Sequence, residues 1–104
     1  MKIKVKGEKL VKAVQKMYGI EIEVDSPEDA REAIDLVLSR MVADEAKVNY
    51  EELEDIRVTP ERRYETSAVD YKMTFLLTFS FKNDASVDTR VAVIKDFQEF
   101  FAKL

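Results

Sequence analysis

Residues 69–81 read Val69-Asp70-Tyr71-Lys72-Met73-Thr74-Phe75-Leu76-Leu77-Thr78-Phe79-Ser80-Phe81. Every second side chain, from Val69 through Tyr71, Met73, Phe75, Leu77 and Phe79 to Phe81, is apolar. The residues between them are polar except Leu76. Side chains alternate between the two faces of a strand, so this period predicts a strand with one face against a core and one toward water. At about 3.3 Å per residue the run spans roughly 43 Å. A domain of this size has a radius of gyration near 13 Å. The strand therefore has to bend, bulge, project, or find partners in a second subunit.

The same period opens the chain. Met1, Ile3 and Val5 fall on one face and Lys2, Lys4 and Lys6 on the other, which predicts a half-buried strand. From Glu8 to Tyr18 the period lengthens, placing Leu10, Val11, Val14, Met17 and Tyr18 on one helical stripe, with Gly19 where a C-cap glycine belongs. Ile20, Ile22 and Val24 then alternate with Glu21, Glu23 and Asp25, predicting a second strand. Two strands joined by one helix are expected to be parallel with a right-handed crossover. As neighbours they would oppose the three lysines to the three acids, in a charge ladder contributing roughly 0.2–1 kcal/mol per pair.

Ser26-Pro27-Glu28-Asp29 has the chemistry of a helix start: a capping hydroxyl, a proline suited to the first turn, and acids at the positive end of the helix dipole. The apolar positions Ala30, Ala33, Ile34, Val37, Leu38, Met41 and Val42 carry that helix to about Ala43. Between Asp44 and Thr66 the pattern predicts a short helix at Tyr50–Asp55, a strand at Ile56–Thr59, a turn at Pro60 and a strand at Arg62–Thr66. Asn83–Ser86 form a turn. Val87, Val91, Ile94, Phe97, Phe101 and Leu104 follow helical spacing in a closing helix, with Val93 and Phe100 as surplus apolar residues. The expected fold is a single α+β domain over residues 1–104. It has a mixed β-sheet with three helices packed on one face, in the order β-α-β-α-(short helix)-β-β-β-α.

The 104 residues carry a net charge of −4, unevenly placed. Residues 1–19 hold six lysines against Glu8, for a local charge of +5, while residues 20–55 carry −10 and residues 56–104 carry +1. The chain has no cysteine, histidine or tryptophan. Disulfides, thiolate metal sites, and Ser-His-Asp or Cys-His catalysis are thereby excluded from these residues. Many Glu, Lys and Arg with few Asn and Gln make a heat-tolerant composition. The N-terminal lysine alternation is unlike a signal peptide, and no apolar run nears the ~18 residues of a membrane helix. A cytoplasmic protein is expected, with no membrane association.

Three functional classes follow. Pro60-Glu61, eight residues, then Asp70-Tyr71-Lys72 resembles the signature of metal-dependent nucleases of the PD-(D/E)xK class. The resemblance implies that Glu61 and Asp70 hold a divalent ion while Lys72 sits beside the attacking water. Glu61 stands where that class usually has Asp, and the resemblance covers only these positions. Glu51, Glu52, Glu54 and Asp55 form an acidic cluster without the glycine turn of a calcium loop, and there is no glycine-rich phosphate loop. For nucleic acid the candidate residues are Lys2, Lys4, Lys6, Arg57, Arg62, Arg63 and the stacking side chain Tyr64.

The favoured expectation is a small non-enzymatic accessory protein, of a regulatory or phage-encoded kind, that needs no cofactor. It binds a protein partner, its own second copy included, through the long strand or C-terminal helix. The expected interface residues are Tyr71, Leu76, Val93, Phe97, Phe100 and Phe101, because surplus apolar surface and unpaired strand edges recruit partners. A nucleic-acid-associated accessory protein is the alternative, and a metal-dependent nuclease the third.

Overall fold

The computed structural model describes residues 1–43, 48–61 and 74–104. Its elements are β1 (Lys2–Lys6), α1 (Gly7–Tyr18), α2 (Pro27–Ala43), β2 (Leu53–Pro60), β3 (Thr74–Phe81) and α3 (Val87–Ala102). They form the expected α+β fold. The described strands make one sheet in the order β1-β3-β2, and both pairings are antiparallel, where the sequence had suggested a mixed sheet.

The difference arises at residues 20–25, which form no strand. β1 takes β3 as its neighbour, setting Ile3 opposite Leu77 and Val5 opposite Phe75. All four of these side chains are buried. At about 25 cal/mol per Å² of apolar surface removed from water, burying these four side chains together favours that ladder. Ile22 and Val24 still turn toward the core and pack against it partly buried. Their alternation thus reports an extended chain with one wet side, not a hydrogen-bonded ladder. The parallel β-α-β unit and its lysine–acid ladder are absent within the subunit. The expected short helix at 50–55 is also replaced, by a turn at residues 51–52 running into β2. Pro60 is the last residue of that strand rather than part of a turn. The positions expected at Arg62–Thr66, and 69–73 of the long strand, lie outside the described residues.

Ile3, Val5, Ile56, Phe75, Leu77 and Phe79 form the apolar face of the sheet, and α1, α2 and α3 bury their own apolar residues against it in one cluster. Phe97 of α3, fully buried, packs edge-on to Phe79 at 5.1 Å and to Tyr50 at 6.1 Å between ring centroids. The helices begin and end where local chemistry dictates. The Asp29 N–H donates to Ser26 Oγ at 3.1 Å, and the Thr89 N–H to Ser86 Oγ at 3.1 Å, each satisfying an otherwise orphan donor. Gly19 closes α1 at φ 70°, its N–H donating to the Gln15 carbonyl at 2.8 Å, in the left-handed region that favours glycine. No described helix is long and apolar enough to cross a membrane.

α3 buries most of the face its spacing implied, with Phe97 and Phe101 in the core and Ile94 and Leu104 packed against it, but differs in its first turns. Val93, Phe97 and Phe101, three of the expected interface residues, are buried in the core of the subunit, and of the three only Phe101 also borders a surface groove. Val87 and Val91, expected inside, are 71% and 48% exposed. Both fit the same helical spacing, and Val93 wins the core position because Phe97 and Phe101, four and eight residues on, share its face. Phe100 is partly buried and stacks edge-on against Phe101 at 5.2 Å.

Candidate docking edge on the first strand

In an antiparallel pair, hydrogen-bonded and non-hydrogen-bonded residue pairs alternate. The Phe79 N–H donates to the Met1 carbonyl at 3.0 Å, which fixes the phase. Ile3 and Val5 then exchange bonds with β3, while the backbone groups of Lys2 and Lys4 turn away from it. β1 is the outermost of the described strands on this side of the sheet, so they turn toward an edge that no described strand covers. Against this edge lies a groove of about 530 Å³, lined by β1, by Glu8 and Lys9, and by Gln98, Phe101 and Ala102 of α3. No described residue of β3 lines it, so it lies on the side away from the ladder. Lys9 Nζ donates to the Leu104 carbonyl at 2.7 Å, holding the end of α3 beside the groove.

The opposite edge, on β2, is guarded. The Glu61 N–H donates to the Thr74 carbonyl at 2.8 Å, so Ile56, Val58 and Pro60 turn their backbone groups outward. Arg31 of α2 donates to the Ile56 carbonyl at 2.6 Å, and Pro60 has no N–H to offer. These are recognised means of blunting an edge. Arg31 also pairs with Asp55 at 3.0 Å and Asp35 at 3.2 Å. Burial lowers its pKa, but the hydrogen bond to Asp55 and the charges of Asp35 and Asp55 outweigh burial, and the net shift is upward.

The second sheet face carries most of the remaining candidates. Lys2 and Arg57 flank Thr78, Lys4 and Thr59 flank Leu76, and Lys6 lies opposite Thr74. The three lysines and Arg57 are exposed. Leu76 is partly buried and takes no part in the core cluster. Lys4 Nζ lies 2.9 Å from Glu61 Oε1, so the first carboxylate of the nuclease-like motif faces a lysine. Arg62, Arg63, Tyr64, Asp70, Tyr71 and Lys72 lie outside the described residues. Among the described residues no three acidic side chains converge as a cation site, and the Glu51–Asp55 cluster is spread along a turn and strand.

The lysine row was legible in the sequence; its position on the outermost described strand was not, since that depends on which strand occupies the middle of the sheet. Sequence reasoning also missed Arg31 and Arg90. The Arg90 guanidinium donates to the carbonyls of Ala85 and Lys82, both at 3.2 Å, and lies 5.7 Å from the Phe81 ring centroid, clamping the turn from β3 into α3. Neither carries a local sequence signal, because each acts on carbonyls of residues outside its own helix. Comparison with protein-family models, with curated proteins and with solved structures finds no match.

Proposed function

We propose that this chain is a non-enzymatic binding module whose working surface is the outer edge of β1, and that it takes an extended acidic segment of a protein partner by strand addition. The observation that carries the reading is the contrast between the two edges. β2 is closed by Arg31 and Pro60, while β1 turns the backbone of Lys2 and Lys4 into a groove. Main-chain bonds supply affinity in this mode, and pockets for alternate side chains supply specificity. The lysines select an acidic strand and repel a like-charged one, since like charges directly opposite are destabilising. Leu76, partly buried on the middle strand opposite Lys4, adds apolar surface beside the lysines.

The test is a titration of the protein with a synthetic peptide alternating glutamate and valine, followed by amide NMR. Shifts concentrated at residues 2–6, and weaker binding by Lys2→Glu/Lys4→Glu, are expected. Shifts elsewhere, or none, would overturn the reading.

A second reading has one specific support: Arg57 shares the open face with the three lysines and lies across Thr78 from Lys2. Clustered cations on one sheet face suit a phosphate backbone. Retention on immobilised DNA or RNA that falls steeply with salt, and is weakened by Arg57→Glu, would favour it over strand addition.

A further inference from the structure

We infer that the strand added to β1 is residues 20–25 of a second copy of this chain. The inference rests on the docking reading above and names its occupant. Four observations converge on it.

First, the segment alternates acidic and apolar residues with the same period as β1. Glu21, Glu23 and Asp25 are exposed, and Ile22 and Val24 are partly buried. Second, the backbone groups of Glu21 to Val24 make no hydrogen bond among the described residues, although the pattern is one that ordinarily sits in a ladder. Third, Glu21 and Glu23 make no ion pair among the described residues, and neither do Lys2 and Lys6; in the complementary lysine row only Lys4 is paired there, with Glu61. Fourth, two β1 edges cannot pair with each other without setting lysines against lysines, which excludes the simplest symmetric alternative.

Side-chain alternation then fixes the contact. A register that faces the acids to Lys2, Lys4 and Lys6 turns Ile20, Ile22 and Val24 to the other face of the sheet, the side on which Phe101 lines the groove, so Ile22 and Val24 exchange their partial cover on their own core for cover on the partner's. Ile20, 47% exposed in the isolated subunit, gains cover. Made in both directions at once, the exchange closes a two-fold dimer.

Sedimentation velocity from micromolar to millimolar concentration tests this. The expected result is reversible association to two chains, weakened roughly tenfold or more by Glu21→Lys/Glu23→Lys and equally by Lys2→Glu/Lys4→Glu, as the loss of several cross-strand pairs implies. An equimolar mixture of the two variants should associate again, because each then offers the other a complementary strip. Lys12→Glu/Lys16→Glu, on exposed positions of α1, should leave association unchanged, and circular dichroism should show all variants folded. Should a reversal fail to fold, Glu21→Gln/Glu23→Gln serves in its place. A wild type that stays monomeric at millimolar concentration, or a dimer indifferent to both reversals, overturns the inference. If the monomer still binds the glutamate–valine peptide at β1, the docking reading survives alone; if it binds none, both fall.

Discussion

The Tyr50 hydroxyl donates a hydrogen bond to the Asp96 carboxylate, joining the approach to β2 with the middle of α3. Tyr50 is only 8% exposed and its ring packs on Phe97, so one side chain ties a turn to a helix through both its apolar body and its polar tip. Burial, followed by the hydrogen bond and the negative charge of Asp96, raises the phenol's pKa well above the usual tyrosine value.

Tyr50→Phe keeps the ring and removes the hydroxyl, leaving Asp96 without this donor. A loss of about 1–2 kcal/mol is expected, read from urea unfolding at neutral pH.

The same pair gives a pH dependence. An acid whose folded pKa is raised stabilises the fold fully below its unfolded pKa, near 10 for tyrosine, and loses that contribution as pH rises beyond it. The wild type should therefore lose stability relative to Tyr50→Phe as pH climbs above about 10. A difference between the two proteins that holds constant from neutral pH into that range would contradict the assignment.

Gly19 sits at φ 70°, and apart from its chain neighbours no described atom lies within 4 Å of where a Cβ would stand. Gly19→Ala should thus cost only the left-handed backbone, about 1–2 kcal/mol, with no steric penalty added. Gly19→Asn should recover part of it, because asparagine tolerates this conformation better. Thermal melting of the two variants side by side reads the difference.

Arg31 is largely exposed, so its pairs with Asp35 and Asp55 contribute little. Its bond to the Ile56 carbonyl is the consequential one. Arg31→Met should lower stability by about 1–2 kcal/mol and leave the β2 edge open. Light scattering during heating should rise earlier than in the wild type, and added salt should change the stability difference only slightly.

The parts of this fold that declared themselves in sequence were those set by local chemistry. The strand at 74–81, the lysine-alternating β1, the Ser26 cap and the Gly19 stop each follow from residues within a few positions of one another. What escaped depended on partners distant in the chain. Residues 20–25 have the period of a strand, but period reports only which side is wet, and β3 offered β1 the larger apolar surface. Likewise the spacing of α3 admitted two faces. Only the positions of Phe79 and Tyr50 around Phe97 decided that Val93 turns inward while Val87 and Val91 turn out. The lysines of the candidate edge were conspicuous from the outset, yet their meaning changed once β3, rather than the acidic segment, lay beside them.

The strand order β1-β3-β2 puts the last strand of the sequence in the middle of the sheet. During synthesis neither β1 nor β2 has a neighbour among the described strands until residues 74–81 emerge, so their pairing waits on most of the chain. Closing so wide a loop makes folding slower than the helix content alone would suggest. Through that interval the nascent chain presents the lysine strip with neither of its sides paired to a described strand.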